Sequence, residues 1–392
     1  MKLKALSTAM ILAIVPMTGA FAAGMDRSGQ SIAAFLQPGN YFEAGISVVD
    51  ASISGQSTPL AAGLPSQSTG DIANDYYFPA AALKLQLTDN FSFGLLYDQP
   101  FGADVEYNTP NLNFTDATGG TSEEVTTENL TFLFGFQPNQ NWNFYAGPVI
   151  QTAEGEFSLR GLVSGGPDAF GSYDATMKKD TELGWIAGLA YQIPESALKA
   201  SLTYRSEVKH ELQATETVAY GATNLASLPG FTPGKTSVTT PQSVNLDFQT
   251  GVMADTVAFA NVRWVNWEDV SIRPNYFGQA ADAGGLVGAN LRDYSDDQIS
   301  AILGVGRKFN EKWDGNVSVG WDSGAGDPAT TEGYWTVGLG LQFSPATNYF
   351  IAGGVNYFML GDATAKTAAV NNVGTFEDND AWYYGLKMGY RF

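Results

Sequence analysis

The chain of 392 residues has no cysteine and a single histidine, His210. No disulfide can staple this fold, and a zinc site would have to be built almost wholly from carboxylates, which is atypical. Cations are scarce too: 20 Lys and Arg face 40 Asp and Glu, for a formal net charge of −20. Such a surface repels phosphates, which excludes nucleic acid as a partner, and the acidity reads as solvated loops. The acidic stretch "DYSDD" (293–297) is read the same way rather than as a metal site. Nowhere after the N-terminus is there a run of about 18 apolar residues, so a helical membrane protein is excluded.

What is present begins with Lys2 and Lys4, an apolar run from Ala9 to Val15, Pro16, and "AFAAG" from Ala20 to Gly24. This pattern predicts a signal peptide over 1–22, cleaved after Ala22. The run is too short to span a bilayer, so it is not a membrane anchor. The exported remainder is rich in glycine (44), Phe (24), Tyr (18) and Trp (8), a composition that suits a β-barrel.

Alternation with a period of two marks strands with unlike faces. Leu130, Phe132, Phe134 and Phe136 share one face; so do Trp335, Val337, Leu339, Leu341 and Phe343. The end of the chain, "WYYGLKMGYRF", puts Trp382, Tyr384, Leu386, Met388, Tyr390 and Phe392 together. In "SLTYRSEVKHEL" (201–212), Leu202, Tyr204, Val208, His210 and Leu212 form the apolar class, and Arg205, Glu207, Lys209 and Glu211 the charged one. Short turns alternate with longer polar stretches near 54–75, 108–121, 161–176, 214–237, 272–292, 322–333 and 361–380. That rhythm predicts an all-β, antiparallel up-and-down barrel of fourteen strands in an outer membrane. Many segments are long enough to cross a bilayer at a tilt, which a soluble sandwich does not need. The apolar face then looks at lipid and the charged face lines the lumen. Phe392 suits recognition by barrel assembly machinery, and lipid and lipopolysaccharide are the expected surroundings of a monomer.

At "LTYRSEVK" (202–209) the sequence resembles the FadL family of outer-membrane transporters for long-chain fatty acids and related hydrophobic compounds. "WVNWEDV" (264–270), "EKWDGNVSVGWDSG" (311–324), "GYWTVGLGLQF" (333–343) and "FEDNDAWYYGLKMGYRF" (376–392) agree in position and kind, so the resemblance spans about 40–392. The family's N-terminal hatch of roughly 40 residues is shortened here to 23–39, and its Asn-Pro-Ala motif is missing. The segment "GMDRSGQSIAAFLQPG" either enters the lumen as a short peptide or trails as a periplasmic tail; Ile32, Phe35 and Leu36 favour insertion.

In "LLYDQPFGADVEY" (95–107), Pro100 cannot donate to a ladder and Gly102 adds freedom, so a bulge at Pro100, Phe101 and Gly102 is expected. The resemblance makes this the kinked third strand, where a side opening releases substrate toward lipid. Loop residues Leu162, Val163, Phe170, Val218, Tyr220, Leu228 and Phe231 are unusually apolar for water-facing loops. They either pack on one another or, as the resemblance implies, form the groove that captures substrate. A fatty carboxylate needs a cation, for which Arg160, Arg205, Lys209 and Arg292 are placed best. Structural ion pairs with Glu207 and Glu211 explain Arg205 and Lys209 equally well. No enzyme and no cofactor are expected. An outer-membrane phospholipase pairs its histidine with a serine two residues on, and here that position is Leu212. The expected function is passive uptake of long-chain fatty acids or similar hydrophobics. The alternatives are an aromatic hydrocarbon or alkane channel, a general diffusion porin and a structural barrel.

Overall fold

Alternation carried along the chain closes a sheet on itself in the computed structural model, which describes residues 25–60, 63–164, 171–220, 223–224, 234–326, 332–367 and 370–392. The expected signal peptide, 1–22, lies outside the described residues. The wall strands are β1 (Tyr41–Ser52), β2 (Tyr76–Gln86), β3 in two runs (Phe91–Asp98 and Gly102–Glu106), β4 (Ser122–Phe136), β5 (Trp142–Leu159) and β6 (Ser172–Ile193). They continue with β7 in two runs (Leu198–Arg205 and Val208–Tyr220), β8 in two runs (Lys235–Thr240 and Ser243–Met253), β9 (Thr256–Val265) and β10 (Gln298–Lys308). The last four are β11 (Trp313–Asp322), β12 (Tyr334–Ala346), β13 (Tyr349–Leu360) and β14 (Asp380–Arg391). Each pairs antiparallel with its sequence neighbours, and β14 returns to β1 from Tyr41↔Arg391 to Ser52↔Asp380. Closure removes every sheet edge, as a wall in hydrocarbon requires. Among the described residues no helix is long and apolar enough to cross a membrane; the strands do so instead.

The two faces differ as the alternation requires. On β12, Trp335, Val337, Leu339 and Leu341 point outward and are exposed, while Tyr334, Thr336 and Gln342 are buried inside. On β14, Trp382, Tyr384, Leu386, Met388 and Tyr390 are outward, with Phe392 exposed at the rim. An apolar belt of this extent is compatible only with lipid. Tight turns join strands at one end. At the other, longer loops carry small sheets and helix α1 (Asn275–Ala283).

One expectation fails. The segment 201–212 is not one strand with constant faces. Ser201, Thr203 and Arg205 are buried in the lumen, but beyond the break so are Val208, His210 and Leu212, while Lys209 turns outward to pair with Glu211 at 3.0 Å. The reason lies in the opposing strand. β7 and β8 pair at Arg205↔Ser243 and again at Val208↔Thr240, but not between. Pro241 stands in that gap and has no N–H to give. Two residues leave each strand together, the register survives, and the faces invert. His210 therefore sits inside, between Asp180 (3.2 Å) and Gln151 (3.1 Å), rather than on the lipid face.

Candidate functional site

The barrel's interior is occupied by its own N-terminal segment, Met25 to Gln37, in three layers. Lowest is an apolar layer, where Ile32, Ala34, Phe35 and Leu36 pack against Leu96, Leu133, Tyr145 and Phe350. Phe35 is fully buried because two wall glycines make room: a Cβ on Gly94 would lie 2.4 Å from its ring, and one on Gly135 2.8 Å. Above it lies a polar layer. Asp26 accepts from Arg263 Nε (2.7 Å) and Nη2 (3.2 Å), and Arg263 Nη1 reaches Asn245 Oδ1 at 2.6 Å. Gln30 Oε1 accepts from Arg263 Nη2 and Ser243 Oγ, its carbonyl accepts from Arg205, and Ser28 Oγ donates to Asp98 at 2.5 Å. Arg263 and Asp26 are almost wholly excluded from solvent, so each depends on the other to offset its lost hydration. Gly29 and Gln30 both adopt left-handed φ angles, 55° and 53°. Gln30 tolerates that because its amide and carbonyl are both engaged. The top layer is apolar again and contains Met25.

At this height the wall breaks. β3 and β4 pair at Asp98↔Asn129 and next at Gly102↔Thr126, so three residues around Pro100 oppose two. On its other side β3 pairs with β2 only up to Tyr97↔Ala81. Contact resumes higher, where Asn74 N donates to Asp104 O and Glu106 N to Ile72 O. Between these points the N-terminal segment stands in for the missing partner. Arg27 N donates to Pro100 O (2.7 Å), Gly102 N donates to Met25 O (2.7 Å), and Asp26 faces Phe101. The Arg27 guanidinium lies 3.9 Å over the Tyr76 ring and 2.4 Å from where a Gly102 Cβ would be. Gly102 is therefore needed for close approach.

Against this break lies an apolar cavity of about 40 Å³, walled by Met25, Phe101, Phe157, Leu212, Trp267 and Ile272. Phe101 meets Trp267 edge to face at 5.4 Å. Pro241, at the second wall break, also lines it, and its one ionisable lining residue is Glu154.

The expected cations do not converge here. Arg160 is held by Asp174 (2.6 Å) and by the carbonyls of Leu159 and Tyr173. Arg205 serves Gln30, and Arg292 lies 3.7 Å from Glu123 and over Tyr294. Leu162 and Val163 form a short turn whose N–H groups bond Leu112 and Asn113 carbonyls, and Val163 packs inward. Val218 is buried in the Met25 layer. Phe170, Leu228 and Phe231, and the side chain of Tyr220, lie outside the described residues. Reading the sequence alone missed Met25, Asp26, Arg263, Trp267 and Pro241. Arg263 left a signal, as a basic residue sharing inward parity with Phe259 and Val265. Pro241 left the same signal as Pro100.

A closed wall with a lipid-facing belt, a filled lumen and an apolar pocket at a wall break defines an outer-membrane channel for hydrophobic molecules. The chain belongs to the outer membrane protein transport family OMPP1/FadL/TodX, whose model matches residues 23–392; its members are transport channels, not enzymes. Among solved structures it is similar to a Pseudomonas aeruginosa FadL homologue, at 17% identity and TM-score 0.70 over 95% of this chain and 98% of that one. It is also similar to the P. putida toluene transporter TodX, at 14% identity and TM-score 0.65 over 96% and 99%. A third is the CymD monoaromatic hydrocarbon channel, at 12% identity and TM-score 0.59 over 90% and 88%. Among curated proteins none matches.

Proposed function

We propose that this chain passively admits small uncharged hydrophobic compounds. Loops 161–176 and 214–237 collect them, the pocket at Met25 and Phe101 holds them, and the break in β3 releases them sideways into the bilayer. One observation carries the reading: the apolar pocket is walled by residues of the break itself. Its 40 Å³ is too little for a ring; an apolar cavity that takes benzene measures about 150 Å³. Met25 must withdraw before a ligand fits, and Met25 belongs to the segment that seals the gap. Filling the pocket and opening the wall thus become one event.

Charge favours an uncharged cargo. The arginines expected to greet a carboxylate are engaged, and the pocket lining offers no cation. The neighbours named for toluene and monoaromatic hydrocarbons belong to the same chemical class. A long-chain fatty acid is the second reading, supported by the family description that names FadL rather than by a free cation. A general porin needs an open aqueous axis, which Met25–Gln37 fills. We place the barrel as a monomer among lipid and lipopolysaccharide, delivered by assembly machinery that reads Phe392.

Asp26 and Phe101 face each other across paired backbones, a spacing that suits a disulfide. The chain has no other cysteine. In the Asp26→Cys/Phe101→Cys variant, oxidation should stop toluene entry into cells and reduction should restore it. Equal uptake in both states would refute exit through this gap. Oleate entering as fast as toluene through the reduced barrel would favour the fatty acid reading.

A further inference from the structure

Below the plug, at the end of the barrel with short turns, lies a vestibule of about 650 Å³ bounded by Asp89, Asn90, Asn139, Gln140 and Pro194. We infer that it binds a small soluble oxyanion, a carboxylate or a phosphate, between Lys84 and Lys199. The two side chains enter from opposite walls and meet at the plug's last turn. Lys84 Nζ donates to Gln37 O at 2.6 Å, and Lys199 Nζ to Leu36 O at 3.0 Å. That turn is one helical turn, with Leu36 N bonded to Ile32 O and Gln37 N to Ala34 O. Its free carbonyls attract cations, which accounts for one donor of each ammonium. Each ammonium has three.

No counter-charge is close. Lys84 is 2% exposed, yet among the described residues neither lysine has a carboxylate within ion-pair distance. Of the other buried cations, Arg160 and Arg263 each hold one, Arg205 bonds the Gln30 carbonyl and Arg27 lies over the Tyr76 ring. The single acid in the vestibule lining is Asp89, exposed on its turn. The other polar lining is amide, including Gln86, Gln137, Asn143 and Gln192. Gln86 Nε2 already donates to the Thr88 carbonyl at 2.8 Å and Gln192 Nε2 to the Gln140 carbonyl at 2.9 Å, so the charge and the leading donors are those of the lysines. Lys84 is buried and Lys199 half-buried, and two like charges so placed with no counterion are costly, the more so to leave unpaired in a chain of net charge −20. A single oxyanion bridging the ammonium groups would relieve both.

The source is a dissolved solute rather than a lipid head group. Beside each lysine the wall is fully laddered: Lys84 pairs with Tyr41 and Gly94, and Lys199 with Gln192 and Gln249. A head group in the bilayer has no path through it, whereas the vestibule opens to the periplasm. Its volume admits a small metabolite.

The test uses trifluoroacetate as the carboxylate probe, with purified barrel in a lipid-free, phosphate-free maltoside detergent. Its ¹⁹F line should broaden saturably, and inorganic phosphate should compete. Lys84→Gln/Lys199→Gln should weaken binding by about tenfold or more, the loss of charge-assisted contacts. Lys308→Gln/Lys312→Gln, at a neighbouring turn, should leave it unchanged, and Lys84→Arg/Lys199→Arg should retain it. Non-saturable broadening with the native barrel overturns the inference without any variant. So does undiminished binding by the glutamine variant while it keeps heat-modifiable migration, or equal loss in the Lys308/Lys312 variant. If the glutamine variant does not fold, the native titration and the arginine variant decide. Competition by dihexanoyl phosphatidate far exceeding that of phosphate would reassign the site to lipid and overturn the soluble source.

Discussion

From β9 to β14 the wall is nearly seamless, whereas from β3 to β8 it is interrupted at the height of the apolar cavity. β10 and β11 pair from Ser300↔Asp322 to Lys308↔Asp314 without a lapse. β3 loses its ladder around Pro100, and β7 and β8 lose theirs together around Pro241. Both breaks open onto the same apolar cavity. A backbone group unpaired in hydrocarbon is expensive, so the breaks persist only because other groups step in. At β3 the substitute is Met25–Arg27. On the other side of β7 the ladder with β6 also lapses, between Ile186↔Arg205 and Met177↔Ala214, and there Ser206 Oγ accepts from Trp185 N and the Asp180 carboxylate accepts from Glu211 N. The seamless arc is a wall held by its own ladder. The broken arc is a wall completed by groups outside its own ladder.

That contrast predicts which substitutions change transport and which change stability. The largest effect should follow Arg263→Ala. It leaves Asp26 buried without its partner, and breaking a buried pair costs roughly 3–5 kcal/mol. The segment can escape that cost by leaving the lumen, while the ladder of β9 needs no side chain. Ion conductance in planar bilayers should therefore rise and amides of residues 26–31 should exchange faster, with urea unfolding little changed. A variant that unfolds earlier at unaltered conductance would erase the distinction between the arcs. Leu339→Arg tests the other arc. Leu339 faces lipid near the middle of β12, where an arginine costs about 2–4 kcal/mol. Folding equilibria in lipid should shift by that amount, and uptake per folded barrel should not.

The same contrast explains what the sequence makes legible. In the seamless arc, Trp335 to Phe343 and Trp382 to Phe392 alternate strictly, and their faces follow from parity alone. Parity fails at 206–207, because the cause lies on another strand, at Pro241. Pro100 announces a break, but what closes it is some 75 residues away in sequence, and nothing in "GMDRSG" alone says that Asp26 will meet Arg263. Arginines 160, 205 and 292 look available in one dimension. Only the fold shows Asp174, Gln30 and Glu123 beside them.

The smallest effect concerns a region outside both arcs, the loop that carries α1. Asp282 is near the C-terminal end of that helix, where the dipole disfavours an anion. It is nevertheless held ionised: Gly288 N donates to Oδ1 at 2.9 Å and Arg273 Nη2 at 2.7 Å, and these two partners keep its carboxyl below the usual carboxylate range. A carboxyl lowered on folding stabilises the folded loop above the ordinary carboxylate pKa. It loses that contribution as pH falls through the lowered value. The group is exposed, so the effect is local. Amide exchange at Gly288, corrected for intrinsic rate, should quicken between pH 5 and pH 3 while amides of β10 and β11 stay protected. Asp282→Asn should show the faster rate already at pH 7 and no further change on acidification. If wild-type Gly288 keeps its protection at pH 3, the clasp does not depend on charge. If β10 loosens along with it, the loop is coupled to the seamless wall, and the division drawn between them is too sharp.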